Sequence, residues 1–324
     1  MQVLLTGAYG NVGRSVLHEI AGRGHEVVCF DLPTKANRRA SAAASTTTRW
    51  GDIRNPQDVA SAMAGCETVI HLAAIIPPGS DRDPGLAEAV NVGGTANVIA
   101  AAQANGGVRI VYASSLALFG RTQHLPPPRT LADPIQITDA YTGHKAACEQ
   151  MLRDSGLEVA ILRFGAVLPL QVLGAIDPLM FEVPLTDRIE FVHTYDVGLA
   201  LVNALDSDEV WGRTLLIGGG PSCQLYEREL VAKPMEALGL GMLPDSAFGT
   251  TPYHTDWLDT TESQKLLRYQ RHTFDDYVAD IVVTLGWRRH AIRAVRPLAR
   301  WWLLRGSPYY RARPEPVGRQ GIEP

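Results

Sequence analysis

The stretch TGAYGNVG, residues 6–13, follows a short apolar run and precedes a segment that predicts a helix. Gly7 permits a tight turn, Gly10 lets the backbone approach a pyrophosphate, and Gly13 allows the helix to pack closely on the strand. The start of such a helix presents unpaired N–H groups and a partial positive charge to phosphate. The spacing is Gly-x-x-Gly-x-x-Gly, which differs from the Gly-x-Gly-x-x-Gly of the standard dinucleotide fingerprint.

Apolar strands alternate with helices beyond this turn. Such alternation is typical of βαβ units, and nearly all-apolar strands indicate a parallel sheet covered by helices on both faces. Strands are predicted at residues 2–5, 26–30, 68–72, 108–113, 159–164 and in the run at 214–220. Helices are predicted at 14–23, 56–64, 86–104 and 139–155, with a polar loop at 34–48. The fold class is therefore α/β, a doubly wound parallel sheet of the Rossmann type.

Three parts of the chain are distinguished by composition. Residues 1–168 and 189–219 form the predicted Rossmann domain, and residues 169–188 and 220–286, rich in Pro and Gly, form a smaller irregular substrate-binding lobe. Residues 287–324 form a basic amphipathic tail, with nine arginines against two glutamates. The lobe is expected at the carboxyl ends of the strands, where α/β folds bind ligands.

The totals describe an ordinary globular protein of 324 residues with a net charge of −4 and 46% apolar residues. This charge gives no reason to expect nucleic acid as a partner. The four cysteines are scattered without a Cys-x-x-Cys pair, so neither a metal site nor a disulfide framework is expected. We expect a cytoplasmic protein, since the start of the chain lacks a signal-peptide pattern and no apolar run reaches about 18 residues.

Asp31 ends the second predicted strand, 18 residues after Gly13. A carboxylate at this position can accept hydrogen bonds from both ribose hydroxyls and repel a 2′-phosphate, which favours NAD over NADP. Lys35, Arg38 and Arg39 follow closely and could bind a 2′-phosphate, so NADP stays open as the alternative.

YTGHK, residues 141–145, places Tyr141 and Lys145 four residues apart, on one face of a helix. Alone, this pair is common. However, the glycine turn is accompanied by further segments, which follow one another along the chain. They are GDIRN (51–55), HLAA (71–74), NVGGT (91–95), YASSLALFG (112–120), YTGHK, RFGAV (163–167) and DTTESQKLLRYQRHTFDDYV (259–278). Together they resemble the extended branch of the short-chain dehydrogenase/reductase family across nearly the whole of residues 1–286. Phe119 departs from the tyrosine of the family's Ser-Ser-x-x-x-Tyr-Gly segment.

The resemblance implies a Ser-Tyr-Lys site made of Ser115, Tyr141 and Lys145, with Asn91 orienting the lysine. Tyr141 would move the proton as hydride moves to or from the nicotinamide, Ser115 would hold the substrate oxygen, and Lys145 would hold the nicotinamide ribose. A nearby ammonium and the nicotinamide cation should lower the phenol's pKa from about 10. The implied cofactor-binding residues are Gly7, Tyr9, Gly10, Asn11, Val12, Gly13, Asp31, Asp52, Ile53, Leu72, Ala73, Ala74, Asn91, Ala113, Tyr141, Lys145, Phe164, Gly165 and Val167.

The substrate region is short and apolar. Sugar-nucleotide dehydratases of this kind carry acidic residues where this chain has Leu116 and Ala117, so dehydration is discounted. Residues 168–190 hold several large apolar side chains, which suit a compact or apolar alcohol or ketone better than a diphosphate. The candidate substrate-binding residues are Ile75, Ser115, Leu116, Tyr141 and His193; the last lies in FVHTYDV, a structural segment in the family.

Three functions remain open from the sequence. The first is an NAD-dependent dehydrogenase or reductase of a secondary alcohol or ketone. The second is a sugar epimerase that retains its NAD, and the third is a dinucleotide-sensing binding protein, against which the intact Ser-Tyr-Lys set argues. Family members dimerise through helices equivalent to those at 86–104 and 139–155, so a homodimer is expected.

The tail allows two interpretations if residues 288–304 are helical. Arg289, Arg293, Arg296 and Arg300 would form one stripe, with apolar residues including Trp301 and Trp302 on the other side. This pattern suits a helix docked on the acidic body, which is favoured, or weak contact with a membrane surface. Pro297 should kink the helix or start a new one, and the residues after Ser307 should be an extended arm.

Overall fold

A computed structural model describes residues 1–44, 46–170 and 178–311. Seven of its strands form one parallel sheet in the order β3-β2-β1-β4-β5-β6-β8, and β7 pairs antiparallel with β9. The strands are β1 Gln2–Thr6, β2 Glu26–Asp31, β3 Thr47–Trp50, β4 Thr68–His71, β5 Arg109–Ser115, β6 Val159–Phe164, β7 Arg188–Glu190, β8 Thr214–Ile217 and β9 Gln224–Tyr226.

Helices cover both faces of this sheet. They are α1 Asn11–Ile20, α2 Lys35–Ala44, α3 Pro56–Met63, α4 Gly79–Arg82, α5 Pro84–Glu88, α6 Gly94–Ala104, α7 Ala140–Asp154, α8 Leu179–Glu182, α9 Thr194–Leu205, α10 Glu227–Ala237, α11 Thr261–Leu267, α12 Phe274–Leu285, α13 Arg288–Ala294, α14 Arg296–Gly306 and α15 Pro308–Arg311. Strand order reverses on either side of β1, which pairs with both β2 and β4. A crevice therefore opens between the carboxyl ends of β1 and β4.

The core consists of two apolar layers, one on each face of the sheet. Val3 and Leu5 pack into the layer that contains α1 and α9, whereas Leu4 packs into the layer of α3 and α6. Successive side chains of a strand point to opposite faces, so an all-apolar strand fills both layers at once. The predicted doubly wound α/β fold is confirmed.

Two element predictions were wrong in detail. The segment at 34–48 is not a loop, since it contains α2 and the start of β3. Alanine has the highest helix propensity, and α2 buries no side chain, so it lacks the apolar stripe that would have predicted it. The helix predicted at 86–104 is interrupted by a π-helical turn at Ala89–Gly93.

Outside the seven-stranded sheet, β7, β9, α10 and α12 pack together, and we refer to this group of elements and the segments around it as the lobe. Glu190 of β7 is fully buried, and its carboxylate accepts hydrogen bonds from the backbone N–H groups of Gly220 and Leu258 and from the Gln224 side chain. Burial raises the pKa of Glu190 to about 7, while these three donors act in the opposite direction. This one carboxylate therefore joins three separate segments of the lobe.

The basic tail docks on the lobe. Leu303 is buried among Phe181, Met235 and Phe248, which stabilises the contact by ~1.5–3 kcal/mol. The Arg300 guanidinium donates to the carbonyls of Leu240, Gly241 and Met242, beyond the end of α10. The favoured prediction of a docked tail is thus confirmed.

Two further predictions concern the path of the tail. Pro297 starts a new helix, because it occupies the first turn of α14 after a break at Val295. The extended arm expected after Ser307 is wrong for Pro308–Arg311, which is helical, and its remainder lies outside the described residues. Across residues 1–44, 46–170 and 178–311, no helix has the length and apolarity needed to cross a bilayer.

Candidate active site

The glycine turn lies between β1 and α1, at the mouth of the crevice. Gly7 has a φ of +67°, and a Cβ there would lie 2.9 Å from the backbone nitrogen of Ala73. A Cβ on Gly13 would lie 2.4 Å from the carbonyl oxygen of Gly7, so only glycine fits. Gly10 precedes α1 and has no side chain with which to cap it. The first-turn N–H groups, of Asn11, Val12 and Gly13, are therefore available to a phosphate.

Asp31 stands at the end of β2, next to this turn. Its Oδ2 accepts a hydrogen bond from the backbone N–H of Tyr9 at 3.0 Å, and its Oδ1 accepts from Leu32 and from the Asn37 amide. The Tyr9 ring is buried against Trp50, so only its backbone belongs to the turn. The carboxylate is fixed at the edge of the crevice by neutral donors.

Ser115, Tyr141 and Lys145 meet at the end of β5 and on the first turns of α7. Asp139 and Thr142 form a capping box that fixes the start of α7. The Ser115 hydroxyl lies close enough to the Tyr141 phenol to lower its pKa. The neighbouring Ser114 is buried, and its hydroxyl donates to Glu149 at 2.6 Å. Of the two serines, it is therefore Ser115 whose hydroxyl lies beside the phenol.

Lys145 is buried behind Tyr141. Its Nζ donates to the carbonyl of Ala113 at 2.6 Å and lies 5.9 Å from the centre of the Tyr141 ring. Burial lowers the pKa of Lys145 to about 8, and burial raises the pKa of Tyr141 to about 12, against the hydrogen bond from Ser115. The expectation of a lowered phenol pKa is therefore wrong for the protein alone, because desolvation of the phenolate outweighs the stabilising contacts.

Asn91 lies in the π-helical turn between α5 and α6. Its side-chain oxygen accepts from the N–H of Ile75, and its amide donates to the carbonyl of the same residue. Its own carbonyl accepts from Thr95 and from the Cys148 thiol, one turn beyond Lys145 on α7. Asn91 thus ties α7 to the loop after β4, which is a positioning role.

The remaining predicted cofactor residues line the same edge of the sheet. The N–H groups of Leu72 and Ala73 donate to the Thr6 hydroxyl, and Ala74 follows them. Gly165 lies so close to the carbonyl of Glu190 that a Cβ would stand 2.6 Å from it. The carboxylate of Asp52 pairs with Arg54, and Ile53 packs against Gly94. Phe164 and Val167 belong to the apolar layer that contains α1 and α9.

Residues 3–178 match the model of the NAD dependent epimerase/dehydratase family. The chain belongs to this family. The epimerase/dehydratase family uses NAD, and the glycine turn, the open start of α1 and the Asp31 carboxylate all fit that cofactor. The predicted resemblance is confirmed.

Curated relatives of the chain act on several kinds of substrate. A 3-beta-hydroxysteroid dehydrogenase of Mycolicibacterium neoaurum is 33% identical over 187 residues, which cover 56% of this chain and 50% of the relative. An N-acetyl-alpha-D-glucosaminyl-diphospho-ditrans,octacis-undecaprenol 4-epimerase of Escherichia coli O157:H7 is 35% identical over 154 residues, 47% of this chain and 43% of the relative. The chain therefore spans about half the length of these relatives.

Solved structures share the fold over most of the chain. A short-chain dehydrogenase/reductase superfamily protein from Agrobacterium tumefaciens, crystallised with bound NAD, aligns with a TM-score of 0.74 at 21% identity, covering 92% of this chain and 99% of its own. UDP-glucose 4-epimerase from Bifidobacterium longum, in complex with NAD⁺ and UDP, gives 0.74 at 19% identity, covering 90% and 99%. At these identities the likeness establishes the epimerase/dehydratase fold.

A buried hydrogen-bond chain under the site was missed by sequence reasoning. Thr95 must donate to the Asn91 carbonyl, so it accepts from His71 Nε2 at 3.0 Å. His71 Nδ1 then accepts from the Thr6 hydroxyl at 2.8 Å. Burial lowers the pKa of His71 to about 3, so this imidazole stays neutral. These hydrogen bonds connect Thr6, at the start of the glycine turn, to Asn91. The residues meet only because β1 pairs with β4, so the sequence alone does not reveal the connection.

A second missed residue is Glu149, four residues after Lys145 on α7. It is fully buried, and its carboxylate accepts two hydrogen bonds from Arg163 of β6, besides those from Ser114 and Arg153. Burial alone would raise the pKa of Glu149, but Arg163 holds it below the usual value. This bidentate pair fixes α7 against the sheet. A glutamate at that spacing carries no signal in the sequence, because its partner lies on another element.

His193 is buried at the start of α9, within the segment predicted to be structural. Its Nδ1 accepts from the N–H of Tyr195 at the start of α9, and its ring stacks on His272 at 4.4 Å. These contacts place it in the packing of the lobe, so its predicted substrate contact gains no support. Leu116 and Ile75 lie next to Ser115 and Asn91, whereas the predicted apolar residues Val172, Leu173 and Ile176 lie outside the described residues.

Proposed function

We propose that the chain is an NAD-dependent oxidoreductase that transfers hydride between nicotinamide and the carbon of a secondary alcohol or ketone. The observation that carries this proposal is the meeting of Ser115, at the end of β5, with Tyr141 and the buried Lys145 of α7, at the carboxyl edge of the sheet. An acid–base hydroxyl pair beside a dinucleotide turn is the arrangement that carbonyl–alcohol chemistry needs.

Each side chain has a separate task in this proposal. Ser115 donates a hydrogen bond to the substrate oxygen and holds it against Tyr141. In oxidation, the phenolate of Tyr141 accepts the hydroxyl proton, and in reduction the phenol returns it. Bound NAD supplies the hydride acceptor and a positive charge that opposes the desolvation of the phenolate. Lys145, protonated below about pH 8, adds a second positive charge and a donor for the nicotinamide ribose.

The proposed substrate is apolar. The residues directly after Ser115 are Leu116 and Ala117, which carry no carboxylate and are buried. Ile76, 59% exposed, follows the loop held by Asn91, and Ile137, 65% exposed, lies against Gly143 of α7. Large exposed apolar side chains beside a site favour an apolar ligand. Similarity to the steroid dehydrogenase and, at 31% identity, to a 2-alkyl-3-oxoalkanoate reductase of Stenotrophomonas maltophilia supports this class.

A panel of candidate substrates tests the proposal. Hydroxysteroids, long-chain hydroxyalkanoates, aryl carbinols and nucleotide sugars would each be incubated with NAD, and reduced nicotinamide followed by absorbance. Reduction of NAD by an apolar secondary alcohol is the expected result. The undecaprenol-linked epimerase among the relatives keeps an NAD-retaining sugar epimerase as the second candidate. Sugar epimerisation without net reduction of NAD would favour that candidate, and tight NAD binding without turnover would favour a sensor.

Changing Asp31 to asparagine is expected to shift preference towards NADP. Asparagine keeps an oxygen for the Tyr9 N–H but removes the charge that opposes a 2′-phosphate. Arg38 and Lys35 on α2 remain nearby. The ratio of kcat/KM for NAD to that for NADP should fall at least about tenfold, which corresponds to ~1.4 kcal/mol.

Glu26→Gln is the matched control, since Glu26 is exposed at the opposite end of β2. An unchanged cofactor ratio in Asp31→Asn would remove Asp31 from the ribose site. An equal fall in both variants would point to overall charge instead.

We also propose a cytoplasmic homodimer with the three-part division of the chain given above. Ala96 and Ala100 on α6 and Ala147 on α7 are exposed small residues that would let helices of two copies approach closely. Light scattering at micromolar concentration is expected to give about twice the chain mass of 35.2 kDa. A monomeric mass would contradict the dimer. The cytoplasmic assignment is supported by four free, buried cysteines.

A further inference from the structure

Helix α14 presents two different faces. Ala299, Leu303 and Leu304 pack into the apolar cluster of the lobe, and Arg300 caps carbonyls there. Leu298, Trp301, Trp302 and Arg305 follow one another at helical spacing on the opposite side. The arginine stripe predicted from the sequence thus faces the protein at Arg300, while the tryptophans face outwards.

The outward face of α14 is strongly apolar. Leu298 is 63% exposed, Trp301 52% and Trp302 56%. Together with Tyr310 of α15, which borders a groove of about 550 Å³ beside Trp301, these three residues form what we call the tryptophan face. Trp287 and Val295, at the ends of α13, are exposed as well. An exposed patch of this kind marks an interaction surface in a folded protein.

Positive charge borders the tryptophan face. Arg288 and Arg305 are exposed, whereas the side chains of Arg293 and Arg296 lie beside Gly239 and Gly241 of the lobe. Residues 287–314 contain no aspartate or glutamate. Among the ion pairs of the described chain, none includes an arginine of α13 or α14. The Arg305 guanidinium lies 4.3 Å from the centre of the Trp301 ring. Arg288 and Arg305 are therefore available to an external anionic surface.

We propose that the tryptophan face is a peripheral docking surface for an anionic phospholipid bilayer. Tryptophan favours the boundary between head groups and acyl chains, and arginines beside it attract anionic lipid. The eleven residues of α14 span roughly 16 Å, so the helix lies along the surface and does not cross it. Because its other face is anchored to the lobe, docking would hold the substrate lobe at the membrane.

Charge and shape separate the bilayer from other occupants. A second copy would bring two arginine-rich faces together, which like-charge repulsion opposes. Nucleic acid satisfies the arginines through phosphate contacts but leaves the apolar surface of Leu298 and Trp302 without a partner. An anionic bilayer satisfies both the cations and the apolar side chains.

Vesicle binding by the full-length protein tests the inference. Vesicles of phosphatidylcholine with phosphatidylglycerol would be compared with vesicles of phosphatidylcholine alone, by co-sedimentation and tryptophan emission. Binding to the anionic vesicles with a blue-shifted emission is expected. The double change Trp301→Ala and Trp302→Ala should weaken binding about tenfold or more, and Arg305→Gln about fivefold. Arg228→Gln, on the same lobe but paired with Asp245, is the control and should bind as the unmodified protein does.

Three outcomes would overturn the inference. The first is the absence of binding to anionic vesicles, and the second is equal binding by the double variant at an unchanged melting temperature. The third is a particle mass, measured by light scattering in lipid-free buffer, that falls from dimer to monomer when Trp301 and Trp302 are replaced. That result would assign the tryptophan face to contact with a second copy. Each is measured without substrate, so a failure here is distinct from a failure of the proposed oxidoreductase activity.

Discussion

Replacing Tyr141 with phenylalanine is expected to lower kcat by about 10²–10⁴-fold while NAD binding persists. The change removes only the hydroxyl beside Ser115, and the buried ring stays in place. In the proposed function, that hydroxyl is the group that exchanges a proton with the substrate oxygen. Steady-state turnover of the substrate found in the panel measures the loss, and NAD binding is followed by the shift in melting temperature.

Tyr195→Phe is the matched control for this prediction. Tyr195 lies on α9, and its ring stacks on His18. It has no place in the proposed Ser115, Tyr141 and Lys145 site. Turnover of the control should stay within about twofold of the unmodified protein. If Tyr141→Phe also retained near-normal turnover, the proposed acid–base role would be wrong.

Replacing Glu149 with alanine is expected to lower the free energy of unfolding by ~3–5 kcal/mol, because Arg163 would be left as an unpaired buried charge. Arg153 bonds to the same carboxylate but is 41% exposed, so Arg153→Ala should cost less than about 1 kcal/mol. Urea unfolding of the two variants measures the difference. If the two variants lost similar amounts of unfolding free energy, the burial of Arg163 would not be the cause of the loss in Glu149→Ala.

The same residue makes a prediction about acid. The pKa of Glu149 is held below its usual value in the folded protein, chiefly by Arg163 acting against the effect of burial. A depressed carboxyl pKa stabilises the fold at pH values above the unfolded pKa of about 4.3, and that contribution is lost as pH falls through the lower, folded pKa. The stability difference between the unmodified protein and Glu149→Ala should therefore be constant near neutrality and shrink below about pH 4. A difference that stays constant down to pH 3 would contradict the assignment.

Local patterns predicted most of the sheet and the position of the chemistry. The strands read as apolar runs because both their faces are covered, so Leu4 and Leu5 signal burial without reference to any partner. Helix α2 escaped prediction for the opposite reason, since it buries nothing and leaves no periodic stripe. The interruption at Asn91 escaped because a π-helical turn changes the hydrogen-bond register without changing the residue pattern.

The pKa values of the site residues were harder to predict from the sequence than the positions of those residues in the fold. The sequence placed Tyr141 and Lys145 on one helix face, but the direction of the phenol pKa depended on how deeply the ring is buried. The Lys145 ammonium, moreover, donates to Ala113 and lies nearer the Tyr112 ring, at 4.8 Å, than the Tyr141 ring. Desolvation depends on the whole surrounding shell, which no short stretch of sequence describes.

The sequence by itself determined the glycine turn, the Asp31 carboxylate after β2 and the spacing of Ser115, Tyr141 and Lys145. The turn depends on local backbone geometry, and the other residues are found by their positions in the order of motifs along the chain. Only the tertiary structure decided that Ser114 is committed to Glu149, that His71 connects Thr6 to Asn91, and that Trp301 and Trp302 face outwards while Arg300 faces the lobe. Those outcomes depend on elements far apart in the chain, and which face of an amphipathic helix is buried is decided by the surface it meets.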